Sequence, residues 1–233
     1  MGQPPRPMGA SVNPEITRWT RTNAILLLIG SSIAVLFDRP YLLFSAGLAS
    51  FIGLFVMNRS EWQDLSWGIG PANLATAFRL ALLLLILAFA PANQPWALLI
   101  ALLIVASLDG LDGFLARKTN SASIIGEYFD KETDAFYVLA VGHILYELGY
   151  APLWILGLGW IRYLYVLASM RWKPPTQKEK RFPWGPIIAV VIMIGLPLSI
   201  VIAEPWRIYL YYFLSGLLLF SFGRSFIALL RTS

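Results

Sequence analysis

The chain has 233 residues, of which 58% are hydrophobic and only 13% charged, with a net charge of +5. A soluble domain could not hide so much apolar surface, so the composition points to an integral membrane protein. The basic residues are scattered between apolar runs, which argues against nucleic acid as a partner. The absence of cysteine and the single histidine exclude a disulfide framework and a thiolate or histidine-rich metal site.

Residues 1–23 are polar and rich in proline and glycine, with Arg6, Arg18 and Arg21, and read as a mostly unstructured cytoplasmic arm. A cleaved signal peptide fits less well, because the polar stretch is long and a second apolar run follows at once. Two apolar segments, 24–37 and 41–57, flank Asp38-Arg39-Pro40 and read as a transmembrane helical hairpin. The first is short, about 21 Å against roughly 30 Å of hydrocarbon, which leaves room for a start near Trp19. Residues 58–72 are polar but carry Trp62, Leu65 and Trp67, and read either as a helix lying in the membrane interface or as an ordinary loop.

Six further spans follow, at about 73–90, 95–117, 123–147, 152–171, 185–203 and 207–230. The expected fold is therefore an all-α integral membrane protein, with a two-helix N-terminal hairpin preceding a six-helix domain over 73–233. Asn120, Ser121 and Ser123 favour a helix cap at the start of the third of these six spans. With the N-terminus inside, the outer loops hold only Arg39 and Arg207 among eighteen basic residues. That asymmetry places both termini in the cytoplasm.

The stretch from Asp109 to Asp134 reads DGLDGFLARKTNSASIIGEYFDKETD and carries six of the thirteen acidic residues. Ionisable residues inside a membrane span are expensive and are functional candidates by default. Asp109 and Asp112 share a helix face with Gly113, Ala116 and Arg117, and Gly126, Asp130 and Asp134 share a face of the next helix. If 118–125 makes the turn, Asp109 and Asp134 both lie about 12 Å from it, and Asp112 and Asp130 about 6–7 Å. Four carboxylates then converge at matching depths. They need cations between them to stay ionised, and oxygen-only ligands favour Mg²⁺, Mn²⁺ or Ca²⁺ over zinc. Gly113 and Gly126 cost a helix about 1 kcal/mol each, which points to close approach of a ligand or a partner helix.

The pattern Asp109-x2-Asp112-Gly113-x2-Ala116-Arg117-x8-Gly126-x3-Asp130-x3-Asp134 resembles the signature of the CDP-alcohol phosphotransferase family at every fixed position and gap. The resemblance runs from about Asn73 to the C-terminus and leaves the first seventy residues outside it. It implies transfer of a substituted phosphate group from a CDP-linked lipid donor, CDP-diacylglycerol above all, to an alcohol, with release of CMP in phospholipid synthesis. It further implies two divalent cations, Mg²⁺ or Mn²⁺, held by Asp109, Asp112 and Asp130, with Asp134 as the base and a possible further ligand. Arg117, with Gly113, Ala116, Gly126, Asn73 and Thr76, would line the donor site. The site would sit near the cytoplasmic face, where nucleotide-activated donors are. Homodimers are common in the family.

Several residues carry two readings. Asn73, Thr76 and Arg79 recur at helical spacing, either to contact the nucleotide diphosphate or as a cap with a snorkelling arginine. Arg162 is a candidate for acceptor binding or for pairing with a buried carboxylate. Lys178, Lys180 and Arg181, in the basic loop 171–184, are acceptor candidates beside a plain topological role. His143 reads as a packed or interfacial residue, and Glu132 points away from the aspartate face. The rival functions are a CDP-choline- or CDP-ethanolamine-type transferase acting on diacylglycerol, an intramembrane prenyltransferase, and a transporter. Glycerol 3-phosphate, inositol, inositol phosphate, serine and a second lipid all stay open as acceptors.

Overall fold

The computed structural model describes residues 14–63, 70–91, 93–119, 123–172 and 184–230, with the side chains of 61, 63, 111–119, 171–172 and 228–230 outside that description. Among these residues all regular structure is helical. The order is α1 (Pro14–Leu36), α2 (Tyr41–Met57), a short α3 (Arg59–Gln63), α4 (Pro71–Phe89), α5 (Pro95–Thr119), α6 (Ile124–Glu147), α7 (Leu156–Trp172), α8 (Gly185–Leu198) and α9 (Trp206–Leu230). A 3₁₀ turn at Leu153–Ile155 leads into α7.

Four helical stretches are long and apolar enough to cross a membrane, Pro14–Leu36, Pro71–Phe89, Leu153–Met170 and Trp206–Ile227. Tyr41–Met57 and Gly185–Leu198 are apolar but shorter, and the part of α5 whose side chains are described, Pro95–Gly110, is apolar too. The α6 helix has 24 residues, yet its acidic first half keeps it off that set. It is nevertheless deeply enclosed. From Ala135 to Leu145 almost every side chain is buried, because α4, α7, α8 and the α1–α2 pair all pack around it.

The first helix begins at Pro14, well before the expected apolar run at 24–37, so 14–23 is not part of an unstructured arm. Proline suits the first turn of a helix, where its missing N–H costs nothing. Ile16, Trp19, Thr20, Asn23 and Leu27 are buried on one stripe at helical spacing, while Arg18, Arg21 and Thr22 face outward. The Trp19 indole N–H donates to the Ser50 carbonyl at 2.8 Å and ties α1 to α2. The turn between them places Asp38 at φ 52°, a left-handed position that aspartate tolerates.

Trp62, in the segment read either as an interfacial helix or as a loop, turns inward. It is buried, stacks on Phe55 at 5.0 Å and meets the edge of Phe129 at 6.2 Å. Its ring joins an aromatic cluster that also holds Trp19, Phe51 and Phe136. Leu65 and Trp67 lie outside the described residues.

The α8 helix ends at Leu198 rather than near 203. Pro197 has no N–H for the Met193 carbonyl, which would otherwise be its partner four residues back. The Tyr137 hydroxyl of α6 lies 3.1 Å from that oxygen and 3.0 Å from the Leu102 carbonyl of α5. The Ser199 hydroxyl donates to the Leu196 carbonyl at 2.6 Å and closes the helix end. One side chain of α6 thus pins two neighbouring helices.

Candidate active site

The aspartates come from the C-terminal part of α5 and the N-terminal part of α6. Ser123 caps α6 by accepting the Gly126 N–H at 3.0 Å, which relieves one of the unpaired donors of the first turn. Asp130 and Asp134 then follow on the face turned toward α4 and α5. Carboxylate oxygens of Asp109, Asp130 and Asp134 all lie within 4.8 Å of one another. These side chains are neither sealed nor free in solvent, with exposures of 26%, 39% and 31%. The sequence arithmetic for Asp109 and Asp134 is matched by this convergence. The backbone of Asp112, Gly113, Ala116 and Arg117 belongs to the last turns of α5, and their side chains are outside the described residues.

Arg79 of α4 holds the three carboxylates together. Its guanidinium is 1% exposed and donates to Asp109, to Asp130 at 2.9 Å and to Asp134 at 2.8 Å. It is therefore not a snorkelling arginine. The fork of a guanidinium suits several carboxylate oxygens at once, and its charge offsets their mutual repulsion. The sequence offered Arg79, with Asn73 and Thr76, as a contact for the nucleotide diphosphate or as a snorkelling residue, and not as the partner of the aspartates. The sharper signal was an arginine deep within an apolar span, which demands an acidic partner in the same layer.

Asn73 and Thr76 lie on the same buried face of α4. A Cβ placed on Gly126 would meet the Asn73 side-chain oxygen at 2.5 Å and the Ser123 hydroxyl at 2.9 Å. Gly126 therefore makes room for Asn73 of the partner helix. The Thr76 hydroxyl donates to the Ala72 carbonyl at 3.2 Å.

The other candidates fall elsewhere. Arg162 of α7 donates to Glu132 at 3.0 Å. Glu132 itself is fully buried and accepts from Asn23 at 2.8 Å. His143 is fully buried beside the Ser31 hydroxyl at 2.7 Å, as a packed residue. Lys131 and Glu127 form an i,i+4 pair at 2.9 Å. Lys178, Lys180 and Arg181 lie outside the described residues.

The donor set fits a hard divalent cation. It is all carboxylate oxygen, it is compact, and it already gathers around a positive charge. Half-buried carboxylates on adjacent helices of a largely apolar bundle, gathered by a buried arginine, make a site that could hold a cation. The sequence model of the CDP-alcohol phosphatidyltransferase family matches residues 71–221, and the chain belongs to this family. No curated protein and no solved structure matches the chain. Members of the family are enzymes that transfer substituted phosphate groups from a CDP-alcohol to an acceptor alcohol.

Proposed function

We propose that the protein is a divalent-metal-dependent phosphatidyltransferase that takes CDP-diacylglycerol as donor, releases CMP and makes a phospholipid at the cytoplasmic face of a membrane. The observation that carries this reading is the set of three carboxylates from α5 and α6 within 4.8 Å of one another, gathered by a buried arginine of α4. Asp109, Asp130 and Asp134, together with Asp112, would hold the cations. When bound, such ions screen the donor pyrophosphate and the charge that develops on the departing CMP.

The remaining work belongs to the chain's own residues. Asp134 accepts the proton of the acceptor hydroxyl as that oxygen bonds to the phosphorus on the lipid side of the pyrophosphate. The bond from this phosphorus to the bridging oxygen breaks, and CMP leaves with the electron pair. Arg79 offsets the charge of the carboxylates until cations take its place, and Arg117 binds the nucleotide side of the donor. The loop residues Lys178, Lys180 and Arg181 are the acceptor-side candidates, while Arg162 takes the alternative role of pairing with a buried carboxylate. Preorganised charge of this kind is the main source of catalysis in phosphoryl transfer.

Purified enzyme mixed with CDP-diacylglycerol, Mg²⁺ or Mn²⁺ and a panel of acceptor alcohols should release CMP and give a new lipid by mass spectrometry. Turnover only with CDP-choline or CDP-ethanolamine and diacylglycerol would reassign the donor. Lack of CMP release with every donor would overturn the reading.

A further inference from the structure

Glu132 lies between Asp130 and Asp134 in sequence but about 200° away from each around α6. It is fully buried, and both of its oxygens are taken. Asn23 of α1 donates to one at 2.8 Å and Arg162 of α7 to the other at 3.0 Å. Asn23 is fixed in turn, since its side-chain oxygen accepts from the Ser50 hydroxyl of α2 at 2.6 Å. At this level α6 is therefore gripped by charge on both sides. Arg79 holds the aspartate face, and the Asn23–Glu132–Arg162 chain holds the reverse face. A buried carboxylate tolerates little displacement, because losing either partner leaves charge without compensation in an apolar bundle.

Packing follows the same line. A Cβ on Gly47 of α2 would meet the Phe136 ring of α6 at 2.5 Å, so the hairpin sits as close as glycine permits. Phe51 of α2 meets Phe129 and Phe136 edge-on at 6.0 and 5.6 Å. The family match begins at residue 71, so Asn23, Gly47, Ser50 and Phe51 all lie before it.

We propose that Glu132 is a positioning residue, and that the N-terminal hairpin, acting through Asn23, sets the rotation of α6 that brings Asp130 and Asp134 to Asp109. The consequence for cation binding rests on the proposed function, while the consequence for helix position does not.

The test uses the full-length protein, whose lack of cysteine allows spin labels to be placed at will. Labels at Phe78→Cys on α4 and Ile124→Cys on α6, both exposed, report the distance between the two helices. Mn²⁺ binding is measured in parallel by its own resonance. Glu132→Ala and Asn23→Leu should shift or broaden the distance distribution and weaken Mn²⁺ binding about tenfold, the usual scale for loss of an outer-shell support. Glu132→Gln keeps the shape but can accept from only one of the two donors, so it should move both readouts in the same direction as Glu132→Ala and by less. Ser31→Ala serves as the control. It removes the hairpin's contacts with His143 and Trp160, about 13 Å along α6 from Asp134, and should change neither readout even if it lowers the melting temperature.

An unchanged distance distribution in folded Glu132→Ala and Asn23→Leu would overturn the proposal. Should those variants not fold, Ser50→Ala decides, with an expected two- to threefold weaker Mn²⁺ binding, about half of one hydrogen bond's worth, and a broadened distance distribution. Parent-like behaviour of Ser50→Ala in both would then overturn it. Parent protein that binds no Mn²⁺ would instead sink the metal reading, and the distances would still decide the role of Glu132.

Discussion

Arg79→Met is the most informative single substitution. Methionine keeps much of the volume and removes the charge, leaving three carboxylates with oxygens within 4.8 Å. At that distance each pair repels by about 3–4 kcal/mol for an effective dielectric constant near 20. Removing one partner of a buried ion pair costs about 3–5 kcal/mol, and partial exposure of the carboxylates reduces the expected loss to about 2–3 kcal/mol. Thermal unfolding in detergent, followed by tryptophan fluorescence in EDTA, should show a midpoint lowered by about 4–12 °C for a chain of this size. Mn²⁺ should recover more stability in the variant than in the parent, since it no longer competes with the guanidinium. At a hundredfold excess over its dissociation constant the recovery is about 2.7 kcal/mol. Identical midpoints in EDTA, or equal stabilisation of both proteins by Mn²⁺, would refute the idea that Arg79 stands in a cation's place.

Asp134→Asn should abolish turnover while CDP-diacylglycerol still binds, and full activity in the purified variant would remove Asp134 as the base. Stripping the enzyme with EDTA should stop CMP release and added Mg²⁺ or Mn²⁺ should restore it; undiminished transfer in the stripped enzyme would end the metal mechanism. Gly126→Ala pushes a methyl group into the space held by the Asn73 side-chain oxygen at 2.5 Å and should cost about 1–3 kcal/mol. Adding Asn73→Ala should recover part of that loss in a double-mutant cycle, and strict additivity of the two changes would count against the contact.

The aspartate cluster was legible because helical spacing is rigid. Residues four apart must share a face, and a short turn must set two helices side by side, so Asp109, Asp130 and Asp134 could be brought together on paper. Arg79 was harder to see, since its partners lie 30 to 55 residues away and no local rule connects them. Glu132 was hidden for the same reason. Its position off the aspartate face was visible, but its partners Asn23 and Arg162 sit on helices whose neighbours the sequence does not specify. The start of α1 was misread because composition averages over both faces. Arg18, Arg21 and Thr22 made the segment look polar, while the buried stripe of Ile16, Trp19, Thr20 and Asn23 carried the helix. Gly126 was rightly suspected of making room, and the occupant is Asn73.

The most direct measurement is anomalous diffraction from crystals of the protein grown with Mn²⁺ and a CDP-linked lipid. The account predicts strong manganese peaks bridged by Asp109, Asp130 and Asp134, with the Arg79 guanidinium withdrawn from at least one of them. Density with no manganese at these oxygens, and Arg79 still bonded to all three, would contradict it.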